Sequence, residues 1–225
     1  MSNVVITART RVSDSEICLG GIDVDAVRSV RLSTANARNF SHHAPFDVGS
    51  VWSMEYTPRS QCIAPHVEDV NVHSYEAASE QPDFGELLTN ESDHLHVWRG
   101  GPDALFNGLL SPDSQANRQV AGGLYVFDGQ PIPPVSLGYW IPDRDLRATR
   151  SRRRSGRYGY DIYHVDRSGP SSTVKIVHSG LRTLPSVIPS GAILSLSLAR
   201  WWAPRDDPDR RRRCTLQVCD LLWVP

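Results

Sequence analysis

Ile193-Leu194-Ser195-Leu196-Ser197-Leu198-Ala199 places leucine at every second position, with serine between the leucines. A strict period of two is the signature of a β-strand with one face on a core. The same period recurs upstream. Val4, Ile6 and Ala8 alternate with Val5 and Thr7; Val30 and Leu32 with Ser29, Arg31 and Ser33; Trp52, Met54 and Tyr56 with Ser53, Glu55 and Thr57; Val70 and Val72 with Asp69, Asn71 and His73. Turn signals lie between them at Ser13-Asp14-Ser15, Gly20-Gly21 and Pro58-Arg59-Ser60, where backbone-binding hydroxyls, Gly and Pro punctuate strands. The pattern predicts five short strands over residues 3–75.

Beyond the strand 193–199 the second half repeats the signal, with strands predicted at 124–127, 135–140, 158–165, 174–177 and 216–224. Residues 76–120 differ: 83–88 and 102–110 look like short helical turns, the second with Pro102 and Asp103 at its start, as first turns favour. The expectation is an all-β chain of two tandem small barrels. The N-terminal barrel is acidic and spans 1–78, the connector with one or two short helices spans 79–121, and the basic C-terminal barrel spans 122–225. A single larger sandwich fits the strand count nearly as well.

The 225 residues carry 40% hydrophobic and 22% charged side chains, an ordinary globular balance. No apolar run approaches the roughly 20 residues that span a bilayer, and the Met1-Ser2-Asn3-Val4 start lacks a basic region followed by an apolar one. No membrane is therefore expected, and the expected compartment is the cytoplasm. The net charge of -1 hides a split. Residues 1–113 hold 16 acids against 7 arginines, and residues 114–225 hold 17 basic residues against 9 acids. Such asymmetry is a sign of polyanion contact. The acidic half binds phosphates poorly, so it is the expected docking face for a protein partner or a second copy. Lys175 is the only lysine, a bias that a GC-rich genome explains.

Cys18, Cys62, Cys214 and Cys219 form no CxxC pair, which argues against a disulfide framework and a zinc ribbon. His94-Leu95-His96 would put two imidazoles on one face of a strand, close to Asp93. No third spaced ligand follows, so no metal and no cofactor are expected. Phosphate loops, dinucleotide fingerprints and the GxSxG elbow are absent, and no catalytic residue is selected.

The sequence resembles the dual OB-domain family of prokaryotic proteins. The resemblance is carried by Glu16-Ile17-Cys18-Leu19-Gly20-Gly21, Val30-Arg31-Leu32-Ser33, Phe46-Asp47-Val48-Gly49-Ser50-Val51 and Pro65-His66-Val67-Glu68-Asp69-Val70 in the first half. In the second half it is carried by the 193–198 strand and the final strand. It implies two oligonucleotide-binding-fold barrels in tandem and nucleic-acid binding without a known reaction, near mobile-element and bacterial defence systems. It supplies no catalytic residues.

The strongest local signal is residues 147–157, with Arg147, Arg150, Arg152, Arg153, Arg154 and Arg157 and no acid, followed by Tyr158, Tyr160 and Tyr163. An OB barrel grips a single strand with a basic groove for phosphates and aromatic faces for bases. Strand alternation sets Tyr158 and Tyr160 opposite Tyr163, so only one set faces a ligand. A second run, Arg210, Arg211, Arg212 and Arg213, follows the acids of 206–209 and reads as a turn between the last two strands. Of the adjacent Trp201 and Trp202, one is expected buried and the other exposed, with Trp201 named as a candidate stacking platform. These residues define a non-catalytic nucleic-acid-binding site. The alternatives are a module sensing a small nucleotide or binding a protein, and a small metal-dependent hydrolase built on His94 and His96.

Overall fold

The computed structural model describes residues 1–78, 83–90, 94–112, 123–151, 160–166, 173–203 and 211–224; for residues 150, 151 and 160 it describes the backbone alone. The first six strands are β1 (Ser2–Arg11), β2 (Glu16–Asp23), β3 (Arg28–Thr34), β4 (Phe40–Ser41), β5 (Val51–Pro58) and β6 (Asp69–Ala77). Their hydrogen-bonded order is β1-β5-β6-β3-β2, and β2 pairs back to β1, so five strands close into a barrel. The β3–β6 pair is parallel and the other pairs in the ring are antiparallel. Closure depends on β1 serving two neighbours. Its first residues, Ser2–Val5, pair with β5, and Val4–Arg11 pair with β2. A register shift between Ile6 and Ala8 supplies the local bend that a small barrel requires.

The second barrel repeats this plan. Its elements are β9 (Leu124–Phe127), β10 (Leu137–Pro142), β11 (Leu146–Ser151), β12 (Tyr160–Asp166), β13 (Thr173–His178), β14 (Val187–Ile188), β15 (Ile193–Leu198) and β16 (Arg213–Trp223). β10 and β11 are consecutive, broken only at residues 143–145. β10 pairs with β15 and β11 with β12, the division of labour seen in β1. The hydrogen-bonded path runs β11-β12-β13-β16-β15-β10, its two ends being consecutive in the chain, again with one parallel pair, β13–β16.

The stretch 79–121 holds α1 (Phe84–Asn90) and, over Pro102–Gly108, a 3-10 turn that starts at Pro102 and is broken by non-helical backbone at Leu105, Phe106 and Asn107. It also supplies β7 (Val97–Gly100), parallel to β10, and β8 (Ser111–Pro112), paired with β9. These two strands extend the second sheet. Asp83 Oδ1 accepts the Glu86 amide at 3.0 Å, capping α1 at its start. No helix among the described residues is long and apolar enough to cross a membrane.

Three buried clusters follow. Val4, Ile6, Leu19, Leu32, Phe46 and Met54 fill the first barrel. Trp140, Tyr163, Ile176, Leu194, Leu196 and Val218 lie in the second. The third, with Val5, Ile22, Leu88, Leu95, Tyr139 and Ile193, lies between the barrels and takes in α1 through Leu88. The spacing in β1 and β15 predicts one wet face each, yet Val4–Ala8 and all six residues of Ile193–Leu198 are buried. The second face of each strand is covered by the other barrel.

Polar bonds tie the barrels together. Glu68 accepts from Ser136 Oγ at 2.9 Å and from the Leu137 amide at 2.8 Å. His66 Nε2 lies 3.2 Å from the carbonyl oxygens of both Leu198 and Ala199. An N–H facing two acceptors makes Nε2 the protonated nitrogen of the neutral ring. Burial, reinforced by Arg31 and Arg200, pushes the His66 pKa down to about 4. Asp69 holds Arg200 at 2.7 Å and Arg59 at 3.3 Å.

Candidate nucleic-acid interface

The outer surface of β11–β12–β13 is the one that OB barrels use for oligonucleotides, together with the loops joining strands 1–2 and 4–5 of the barrel. In this barrel those loops are the β11–β12 and β15–β16 connections. They carry the two arginine runs read from the sequence.

Inward-facing Val165, Val174 and Ile176 join the core, so alternation turns their neighbours outward. Register then sets Arg147 opposite His164 and His164 opposite Lys175, one nitrogen-bearing side chain per strand in a row across three strands. Beside it run Thr149, Ile162 and Val177. Arg147 is exposed, its guanidinium 3.9 Å from Asp145. His164 Nε2 lies 2.6 Å from Thr149 Oγ1. Burial first, and Lys175 second, lower the His164 pKa, which keeps the ring neutral near pH 7. The row thus offers two permanent cations separated by a neutral hydrogen-bonding ring.

Tyr163 occupies the opposite face. It is fully buried, and its hydroxyl donates to the Pro185 carbonyl at 2.7 Å, while burial pushes its pKa up to about 12. The candidate stacking ring is a core residue with no face open to a base. Arg150 and Tyr160 lie on paired backbone, opposite Asp161 and Ser151 respectively. Arg152, Arg153, Arg154, Arg157 and Tyr158 lie outside the described residues.

At the other connection, Trp202 and Arg213 exchange backbone hydrogen bonds of 3.0 and 2.9 Å, closing the base of the β15–β16 loop as the turn reading expected. The two tryptophans divide, as alternation requires, but in the other sense. Trp201 is half-buried, its Nε1 donating to the Ala64 carbonyl of the first barrel at 2.7 Å. Trp202 is 52% exposed. The Arg213 guanidinium is buried between rings, 4.5 Å from the Tyr125 centroid and 5.4 Å from that of Trp202. Arg213 therefore stiffens the platform rather than reaching for phosphate. Arg212 is exposed and sits 5.8 Å from the Trp201 ring centre, and Arg211 is exposed; Arg210 lies outside the described residues. Trp202, with Arg213 and Tyr125 behind it, is thus the exposed ring at this loop.

His164, Lys175 and Tyr125 were missed by sequence reasoning. A lone lysine and a lone histidine carry no local signal, and only strand register shows that they share a row with Arg147. The HxH pair also falls differently. His94 and His96 lie in a turn before β7, with His96 at a left-handed φ of 53°, so they do not share a strand face. Asp93 lies outside the described residues. Among the described residues no group of three His, Cys, Asp or Glu side chains converges to hold a metal ion.

The corresponding face of the first barrel is closed. Its row, Ala8 opposite Gly20 opposite Arg31, lies under β15 and β16, with a cavity between. Several acids of this half are also occupied internally: Asp23 with Tyr56, Asp47 with Arg9, Asp69 with Arg59 and Arg200, and Glu68 with the 136–137 segment.

A closed five-stranded barrel, and a second sheet whose path begins and ends on the consecutive β11 and β10 and holds the parallel pair β13–β16, define a tandem OB-fold protein. The family model for the dual OB-containing domain matches residues 2–220, and the chain belongs to that family. No curated protein and no solved structure matches it.

Proposed function

We propose that this protein binds single-stranded nucleic acid, without a reaction of its own, through the outer face of β11–β12–β13. The observation that carries this reading is the Arg147–His164–Lys175 row, which runs between two arginine-rich connections in the positions OB barrels use for ligands. The cations supply phosphate affinity, and the exposed Trp202 ring offers one base a stacking surface. The first barrel contributes rigidity instead of a second groove, because its equivalent face is spent on the junction.

The division into 1–78, 79–121 and 122–225 fits this reading as a division of roles, with binding in the last segment. A protein partner would meet the acidic half, whose 16 acids against 7 arginines over residues 1–113 suit a basic surface. A place in a bacterial defence or mobile-element system is what the resemblance to the dual OB-domain family implies, and a cytoplasmic site is what the lack of a leader-like or membrane-spanning stretch in the sequence implies.

The test is fluorescence anisotropy of labelled single-stranded DNA and RNA against the full chain over a salt series. Affinity should fall steeply with salt, and Arg147→Ala combined with Lys175→Ala should flatten the dependence. Binding that ignores salt, or is unchanged in the double variant, refutes the assignment.

A further inference from the structure

The cavity between the barrels encloses about 320 Å³ and is bounded by β1, β2 and β3 on one side and by β10, β15 and β16 on the other. Its wall contains three arginines, Arg11, Arg31 and Arg200, and no carboxylate. Thr10, Ser33, Asn39, Ser197 and Gln217 add neutral hydrogen-bonding groups. The two wall thiols add no negative charge at Cys219, whose pKa burial raises to about 11. Arg11, Val12 and Arg200 are exposed, so the cavity reaches solvent along that rim.

Arg31 is the unusual member. It is only 4% exposed. Its guanidinium donates to two neutral acceptors, Ser136 Oγ at 3.0 Å and the Leu198 carbonyl at 3.4 Å. Among the described residues no carboxylate lies within ion-pair distance of it. Glu68 reaches Arg31 only through Ser136 Oγ, which accepts from Arg31 at 3.0 Å and donates to Glu68 at 2.9 Å, and Asp69 is held by Arg59 and Arg200. A buried cation without a direct ionic partner is costly, and Arg31 borders the cavity.

We infer that the junction cavity binds a compact phosphomonoester, whose oxygens accept hydrogen bonds from the Arg31 guanidinium at the cavity floor while Arg11 and Arg200 attract it at the rim. Guanidinium and phosphate are matched in shape and charge. The volume is at the small end of ligand sites, enough for a phosphate and a sugar. No aromatic ring lines the cavity, so a base would find nothing to stack on and the phosphate is the recognised group. That group can come from a free sugar phosphate or from the terminal phosphate of a strand. The site is separate from the β11–β13 face, and each assignment can fail without the other.

Isothermal titration calorimetry on the full chain tests it, with ribose 5-phosphate, ribose, and a dinucleotide carrying either a 5′-phosphate or a 5′-hydroxyl. One equivalent of ribose 5-phosphate should bind and ribose should not. Arg31→Gln should weaken binding at least about tenfold, the loss expected of a charged hydrogen-bonding partner, with the affinity for a 5′-hydroxyl oligonucleotide unchanged. Should Arg31→Gln fail to fold, Arg11→Ala at the exposed rim should weaken binding about threefold or more, and Gln217→Phe should block the cavity. Tighter binding of the 5′-phosphorylated dinucleotide than of ribose 5-phosphate assigns the group to a strand end; the reverse order assigns it to a free metabolite. No binding of any phosphate probe up to roughly 10 mM, or binding indifferent to both Arg11→Ala and Gln217→Phe, overturns the proposal.

Discussion

Acidification should loosen the junction through His66. In the folded chain its ring is buried beside Arg31 and Arg200, and its pKa lies near 4 instead of the ordinary 6.5. A native pKa below the unfolded one means that, between those two values, the unfolded chain binds the proton and the native chain does not. Stability is therefore intact above pH 6.5 and declines as pH falls towards 4. The full difference is 2.5 pKa units, a ceiling of about 3 kcal/mol, and the share lost between pH 7 and pH 5 is about 2 kcal/mol. Urea unfolding of the full chain at pH 7 and pH 5, set against His66→Gln, isolates the effect. Glutamine keeps one N–H for the Leu198 or Ala199 carbonyl but does not titrate. Other groups, such as His164 and His178, whose pKa values burial also lowers, contribute to both proteins and cancel. The wild type should lose about 2 kcal/mol more than the variant over this interval. Equal losses would refute the argument that His66 stays neutral inside the junction.

Four further outcomes are expected. Arg147→Ala and Lys175→Ala should each reduce the slope of log affinity against log salt by roughly 0.7 for a single strand, measured by anisotropy, while Trp202→Ala should cost about 1–3 kcal/mol if a base stacks there. Gly180→Ala, where an added Cβ would collide with the Cys219 carbonyl and lie 2.7 Å from His178 Nε2, should destabilise by about 1–3 kcal/mol in denaturant titration, because the overpacked atom is backbone. Leu88→Ala, which empties a fully buried position of α1 at the barrel seam, should cost about 2–5 kcal/mol in the same measurement.

Most of the strands were legible because period-two alternation and Gly, Pro and Ser punctuation act locally. Ile193–Leu198, β3 and β5 fall close to where their spacing puts them. β4, β8 and β14, two residues each, were not, since a pair of residues has no period. Pairing was equally hidden: nothing in the spacing of Val97–Gly100 announces a strand parallel to β10. The candidate site split along the same line. The arginine runs were visible as runs, and the topology puts them at the two loops flanking one face. Which aromatic ring faces a ligand depended on side-chain direction, and there Tyr163 and Trp201 turned inward while Trp202 turned out.

Residue order alone determined an all-β chain with charge divided between its halves, because alternation and composition are properties of neighbours. Which sheet faces stay open was left to the packing of one barrel on the other. That packing buries the serines of β15, which alternation marks as solvent-facing, closes the first barrel's ligand face over Arg31, and, among the described residues, leaves the Arg147–His164–Lys175 face of the second uncovered by the first barrel. Burial of a face requires a partner surface brought from more than a hundred residues away, and short-range pattern carries no record of it.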